Sequence, residues 1–143
     1  SGIGKFTGLD LAQKGANIVL FCRDEAKGKA AQKEIQQIGK GSIELILCDL
    51  SDFSSIRQAA AQFMATHQQL DVLINNAGMI SSSFNKTKDG FETQFAVNHL
   101  GHFLLTQLLL DHLKAAPSAR IIHVSSMLHL KGKIDFNCDA QFK

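Results

Sequence analysis

Tyrosine is absent from the 143 residues and proline occurs once, at Pro117. Without tyrosine, no phenol within these residues can act as a general acid or base. The cysteines number three (Cys22, Cys48, Cys138) and have no metal-like spacing. An odd, scattered set speaks against a disulfide framework and for reduced thiols in a cytosol-facing protein. His99, His102 and His112 have no carboxylate or cysteine partners at ligand spacing, so they are read as structural or surface residues and no metal site is expected. A net charge of +2 offers no basic surface for nucleic acid or an anionic membrane. No apolar run approaches the roughly 18 residues of a membrane span, and no signal peptide is visible. The length allows one domain, and 45% apolar with 20% charged residues is ordinary for a globular one.

What is present centres on Leu70–Gly78. Leu70, Val72, Leu73 and Ile74 form an apolar run without helical spacing, as in a strand buried on both faces of a parallel sheet. The run stops at Asn75-Asn76-Ala77-Gly78, residues of turns and of close backbone approach. Ligands of open α/β sheets sit beyond the carboxyl ends of the strands, so this tetrapeptide is read as the floor of a crevice. A plain strand-ending turn is the other reading.

Ser1-Gly2-Ile3-Gly4 leads into a helical pattern over Lys5–Lys14, stopped by Gly15. A glycine turn opening a helix favours a phosphate, with an ordinary turn as the other reading; Lys5, beside it, can add a second positive charge to that of Arg23. Asn17–Cys22 reads as a strand ended by Arg23-Asp24. In dinucleotide sites an arginine at this place pairs with a 2′-phosphate, which favours NADP over NAD; a solvated strand-end charge is the alternative. Asp24–Ile38 is an amphipathic helix and Ile43–Cys48 a third strand. Asp49 then either accepts a bond from an adenine amino group or helps start the next helix, which runs to His67. Asp89–Leu113 carries apolar residues at helical spacings with Asn98 in the middle, a poor helix-interior residue that invites a functional reading. Pro117 and Ser118 break that helix. Arg120–Val124 is a strand ending in Ser125-Ser126, serines placed to bond a substrate oxygen or simply to cap. A loop over 132–136 follows.

Strands alternating with helices of about 12–15 residues imply an α/β fold, a doubly wound parallel sheet with helices on both faces. The chain opens on a glycine turn with no strand ahead of it, so it reads as a piece of a longer protein.

These motifs, taken together and in this order, resemble the short-chain dehydrogenase/reductases, and most closely their retinol dehydrogenase-like branch. The carriers are Ser1–Lys5, Cys22-Arg23-Asp24, Asp49-Leu50-Ser51, Asn75–Gly78, Asp89–Glu92, Val97–Thr106 and Val124-Ser125-Ser126. The resemblance implies a Rossmann-type domain over 1–143, incomplete at both ends, and hydride transfer between NADP(H) and a lipophilic alcohol, aldehyde or ketone. It places Gly2 and Gly4 in the pyrophosphate loop, with Ser1 and Ile3 lining it. Arg23 falls at the NADP-selecting position. Asp49 and Leu50 flank the adenine, and Asn76, Ala77 and Gly78 contact the cofactor and support the central strand. Asn98 matches the asparagine whose helix distortion holds a water in a proton relay. Ser126 matches the serine that bonds the reacting oxygen.

The family's Tyr-x-x-x-Lys is not among these residues and is expected beyond Lys143. The family's first strand is expected ahead of Ser1, between Asn17–Cys22 and Val72–Ile74, so the isolated segment is expected to fold poorly or close its sheet abnormally. The resemblance allows a homodimer, and membrane association only through segments outside the sequence. It implies a cytoplasmic or cytosol-facing endoplasmic reticulum location. A catalytically inactive nucleotide- or partner-binding protein is the competing function, and a relative of the sugar epimerases a third.

Overall fold

The computed structural model describes residues 2–132. Helix α1 (Gly2–Gln13) is followed by strand β1 (Ile18–Cys22), α2 (Glu25–Gln36), β2 (Ile43–Leu47), α3 (Phe53–Thr66) and β3 (Val72–Asn75). A loop then leads to a broken helical rod: α4 (Thr93–Phe95), a π-helical stretch (Ala96–Leu100), α5 (Gly101–Leu108) and α6 (Leu110–Ala115). Strand β4 (Arg120–His123) and a 3-10 turn (Met127–Leu130) complete the order.

Both strand pairs are parallel. β1 runs beside β2 from Ile18↔Ile43 to Cys22↔Leu47, and β3 beside β4 from Val72↔Arg120 to Asn75↔His123. No ladder joins β1 to β3 among the described residues, so the sheet is interrupted there. The interruption falls between the two strands where it was expected.

Alternation along β1 explains why that strand is apolar throughout. Ile18 and Leu20 face Ala12 of α1 and Ile35 of α2, while Val19 and Phe21 face the larger cluster built on Ile56, Phe63, Leu105 and Leu109. Side chains of period two thus serve helices on both faces. Gly28 lets α2 approach closely, since a Cβ there would lie 2.8 Å from Leu45. β3 is covered on one face, through Leu73 and Asn75, whereas all four β4 residues are exposed.

Several boundaries differ from the sequence reading. Gly2-Ile3-Gly4 is the first turn of α1 rather than a loop before it, with positive φ at Gly2 only. Gly15 ends α1 as expected, in a left-handed cap at φ +92° in which Ala16 N–H bonds the Leu11 carbonyl at 3.1 Å. The cap of α3 is Asp52, not Asp49: its carboxylate accepts from the Ser54 and Ser55 amides. The long helix begins at Thr93, because Lys86–Glu92 closes on itself as a hairpin with Gly90 at φ +89°. Ser1, Cys138 and the expected loop beyond Gly132 lie outside the described residues.

Candidate functional site

Two close approaches and one ordinary contact at glycines bring the strand exits together. A Cβ on Gly4 would stand 2.6 Å from Asn76 Nδ2, so the first turn of α1 touches the residue just past β3. A Cβ on Gly78 would stand 3.5 Å from Asn98 Oδ1, which puts the β3 exit against the π-helical stretch. A Cβ on Gly101 would stand 2.6 Å from the Leu50 carbonyl, which puts the β2 exit against the start of α5. Arg23 and Ser126 join this rim through the ladders: Cys48 N–H bonds the Cys22 carbonyl at 2.9 Å, and Val124 N–H bonds the Asn75 carbonyl at 3.0 Å. These contacts set the exits of β1, β2, β3 and β4 in one connected series with the first turn of α1 and the π-helical stretch.

Asn98 sits at the centre of the helix distortion. The Gly101 N–H reaches back to the Ala96 carbonyl, an i→i+5 bond. Such π turns concentrate at functional sites because they displace carbonyls from the regular ladder. Asn98 Oδ1 accepts from Met79 N–H at 2.8 Å, and Nδ2 donates to the Met79 carbonyl at 2.9 Å. The buried His102 imidazole bonds the Asn98 carbonyl, and burial holds that ring below its ordinary pKa of 6.5.

Beneath the rim, Asn75 is 3% exposed. Its Nδ2 donates to Thr106 Oγ1 at 3.0 Å and lies 3.3 Å from His123 Nδ1. In this orientation His123 accepts through Nδ1, so an amide satisfies both of its N–H groups and ties β3 to β4 and α5. The spacing of Asn75, Thr106 and His123 gave no sequence signal; only the pairing of β3 with β4 brings them together.

Other expected site residues are partly engaged. Asp49 Oδ1 accepts from the Ser51 amide at 2.9 Å and the Ser51 hydroxyl at 2.7 Å. Ser126 Oγ accepts from Leu128 N–H at 3.2 Å, which leaves the hydroxyl proton to donate elsewhere. Arg23 is exposed at the end of β1, and Ile3 is 69% exposed at the start of α1. Lys5 does not face the glycine turn as a free charge: its ammonium pairs with Glu34 on α2 at 2.9 Å. Among the described residues no cluster of His, Cys, Asp or Glu could hold a metal ion. No described helix is long and apolar enough to cross a membrane.

The family model described as short chain dehydrogenase matches residues 1–138. The chain belongs to the short-chain dehydrogenases. Within that family it falls in the retinol dehydrogenase-like branch. It is 51% identical over 138 residues to retinol dehydrogenase 12 of Mus musculus, covering 96% of this chain and 44% of that protein. The chain thus spans less than half the length of the curated relatives it matches. Among solved structures, an uncharacterised protein from Mycobacterium paratuberculosis is 42% identical with TM-score 0.80, covering 94% of this chain and 46% of that one. A metagenomic short-chain oxidoreductase in complex with NADP is 33% identical with TM-score 0.77, covering 89% and 58%. The Rossmann-type α/β architecture of this chain follows from both.

Proposed function

We propose that this chain is a single NADP-binding domain of an oxidoreductase that moves a hydride between the nicotinamide and a lipophilic alcohol, aldehyde or ketone. The observation that carries the reading is the convergence of Gly4 on Asn76, Gly78 on Asn98 and Leu50 on Gly101. Bound at that rim, NADP(H) supplies the hydride acceptor or donor. Gly2, with positive φ and no heavy atom within 4 Å of where a Cβ would stand, leaves room at the start of α1. No carboxylate sits in that first turn, so its N–H groups and helix dipole suit pyrophosphate oxygens. Ile3 lies in the same turn.

Arg23 offers a guanidinium to the 2′-phosphate, and the NADP bound to the metagenomic relative supports that choice. Asp49 and Leu50 form the adenine side, and Asn76, Ala77 and Gly78 the floor. At the reacting end, Ser126 donates its hydroxyl proton to the substrate oxygen, and Asn98 holds the π turn that leads a proton path away. The likeness to retinol dehydrogenase 12 supports a lipophilic substrate.

One observation favours a second reading. The 143 residues hold no tyrosine, so the phenol that the family uses for proton transfer is not among them. A nucleotide-binding protein without turnover fits that composition.

Titrating the chain with NADPH and NADH tests the cofactor. NADPH is expected to bind about tenfold tighter, and Arg23→Ala to erase the preference, as loss of one charge-assisted pair would. Equal affinities untouched by the substitution contradict the assignment. The 143 residues alone are expected to be inactive, so retinol oxidation with NADP by the intact parent protein separates the two readings: turnover supports the enzyme, and binding without turnover supports the second.

A further inference from the structure

The hairpin Lys86–Glu92 fastens to the α3 N-terminus. Lys88 Nζ pairs with Asp52 Oδ2 at 2.6 Å and donates to Ser54 Oγ at 3.1 Å. Asp89 Oδ2 accepts from Phe53 N–H at 3.1 Å, and the Phe53 and Phe91 rings lie 5.4 Å apart. Asp52 and Phe53 directly follow Asp49–Ser51. The Asp52 N–H bonds the Asp49 carbonyl at 3.1 Å, and the Asp49 N–H bonds Ser55 Oγ at 3.0 Å. The hairpin's other end is equally tied. Thr93 N–H bonds the Asn85 carbonyl at 2.9 Å, and the Glu92 carboxylate accepts from the Gln94 and Phe95 amides that lead into the π-helical stretch.

We propose that Lys88 and Asp89 are positioning residues for the cofactor: they clasp residues 52–54 and so set where Asp49 and Leu50 stand against the adenine. Neither residue touches the cofactor. The physical reason is leverage over a short connection. Asp49 and Leu50 are held by β2 on one side, by the α3 cap on the other and by Gly101 of α5 against the Leu50 carbonyl, and the hairpin adds an ion pair and a backbone bond to that cap. Lys88 neutralises the carboxylate that caps α3, so the cap keeps its geometry next to a bound polyanion.

This inference rests on the proposed adenine side at Asp49 and Leu50. Its test compares NADPH, adenosine 2′,5′-bisphosphate and nicotinamide mononucleotide on the wild-type chain, Lys88→Met, Asp89→Asn and the double variant. Each single substitution is expected to weaken NADPH and the adenosine bisphosphate about threefold, and the double about tenfold, the scale of exposed pairs. Nicotinamide mononucleotide binding is expected to stay unchanged, and Lys88→Arg to restore the wild-type value. A merely structural hairpin would weaken all three ligands alike, and that result overturns the proposal. Wild-type binding with variants indistinguishable from it also overturns the proposal while leaving the cofactor assignment standing. These titrations use the intact parent protein, and its failure to bind NADPH while showing a cooperative thermal transition removes the cofactor assignment and the clasp with it.

Discussion

Asn98 and Met79 grip each other across 19 residues of sequence: the Asn98 amide accepts from the Met79 N–H at 2.8 Å and donates to the Met79 carbonyl at 2.9 Å. One side chain thereby replaces a strand partner for the backbone just past Gly78. Asn98→Ala removes both bonds. A loss of about 1–2 kcal/mol is expected, near the net worth of two such bonds. Urea unfolding of wild type and variant measures it, and an unchanged midpoint would show that the grip carries no stability.

Gly101→Ala should be destabilising although alanine is the better helix former. The added methyl would stand 2.6 Å from the Leu50 carbonyl and 3.1 Å from the Ala96 carbonyl, both backbone atoms that cannot swing aside. Overpacking of this kind costs about 1–3 kcal/mol, which exceeds the gain of about 1 kcal/mol from propensity. A rise in the thermal midpoint would contradict the packing of the β2 exit on α5.

Gly4→Ala meets a softer neighbour. Its methyl would fall 2.6 Å from Asn76 Nδ2, the end of a side chain that can rotate. Stability should change by less than about 1 kcal/mol, within the range of tolerated substitutions. NADPH affinity should drop about tenfold, because Asn76 must leave the floor it forms, an effect near that of one lost hydrogen bond to a charged ligand. Calorimetric titration beside a melting curve distinguishes the two effects.

His102 predicts a pH dependence. Burial pushes its imidazole below 6.5, and the bond to the Asn98 carbonyl opposes this only partly; the charges of His123 and His99 add to the downward shift. The unfolded chain therefore takes up the proton at higher pH than the folded one. The contribution is complete above about pH 6.5 and is lost as pH falls through the lower folded value. His102→Gln should flatten the fall in urea midpoint between pH 7.5 and 5.5 relative to wild type. Parallel slopes would refute the role of this ring.

Much of the framework was legible because it depends on local pattern. The β-branched run at Ile18–Cys22, the stop at Gly15 and the breaking of the helix near Pro117 each have a cause within a few residues. Asn98 was legible as an anomaly, since asparagine disfavours a helix interior, and the structure turns that anomaly into a π turn. What the sequence hid depends on long-range pairing. Asp49 and Asp52 are both acids just ahead of α3; Asp52 takes the Ser54 and Ser55 amides while Asp49 turns to Ser51, and the Lys88 contact on Asp52 comes from a distant hairpin. The engagement of Lys5 with Glu34, and of Asn75 with Thr106 and His123, likewise requires the packed fold. Gly2 and Gly4 looked like a turn because glycines punctuate loops, yet here they lie in a helix's first turn, Gly2 beside open space and Gly4 against Asn76.

The central claim is that one phosphorylated dinucleotide lies across the joined strand exits. Amide chemical-shift mapping during NADPH titration tests it most directly. Saturable shifts clustered at Gly2, Gly4, Arg23, Leu50, Asn76–Gly78 and Ser126 are predicted. Shifts that do not saturate, or that gather on residues away from these exits, would contradict it.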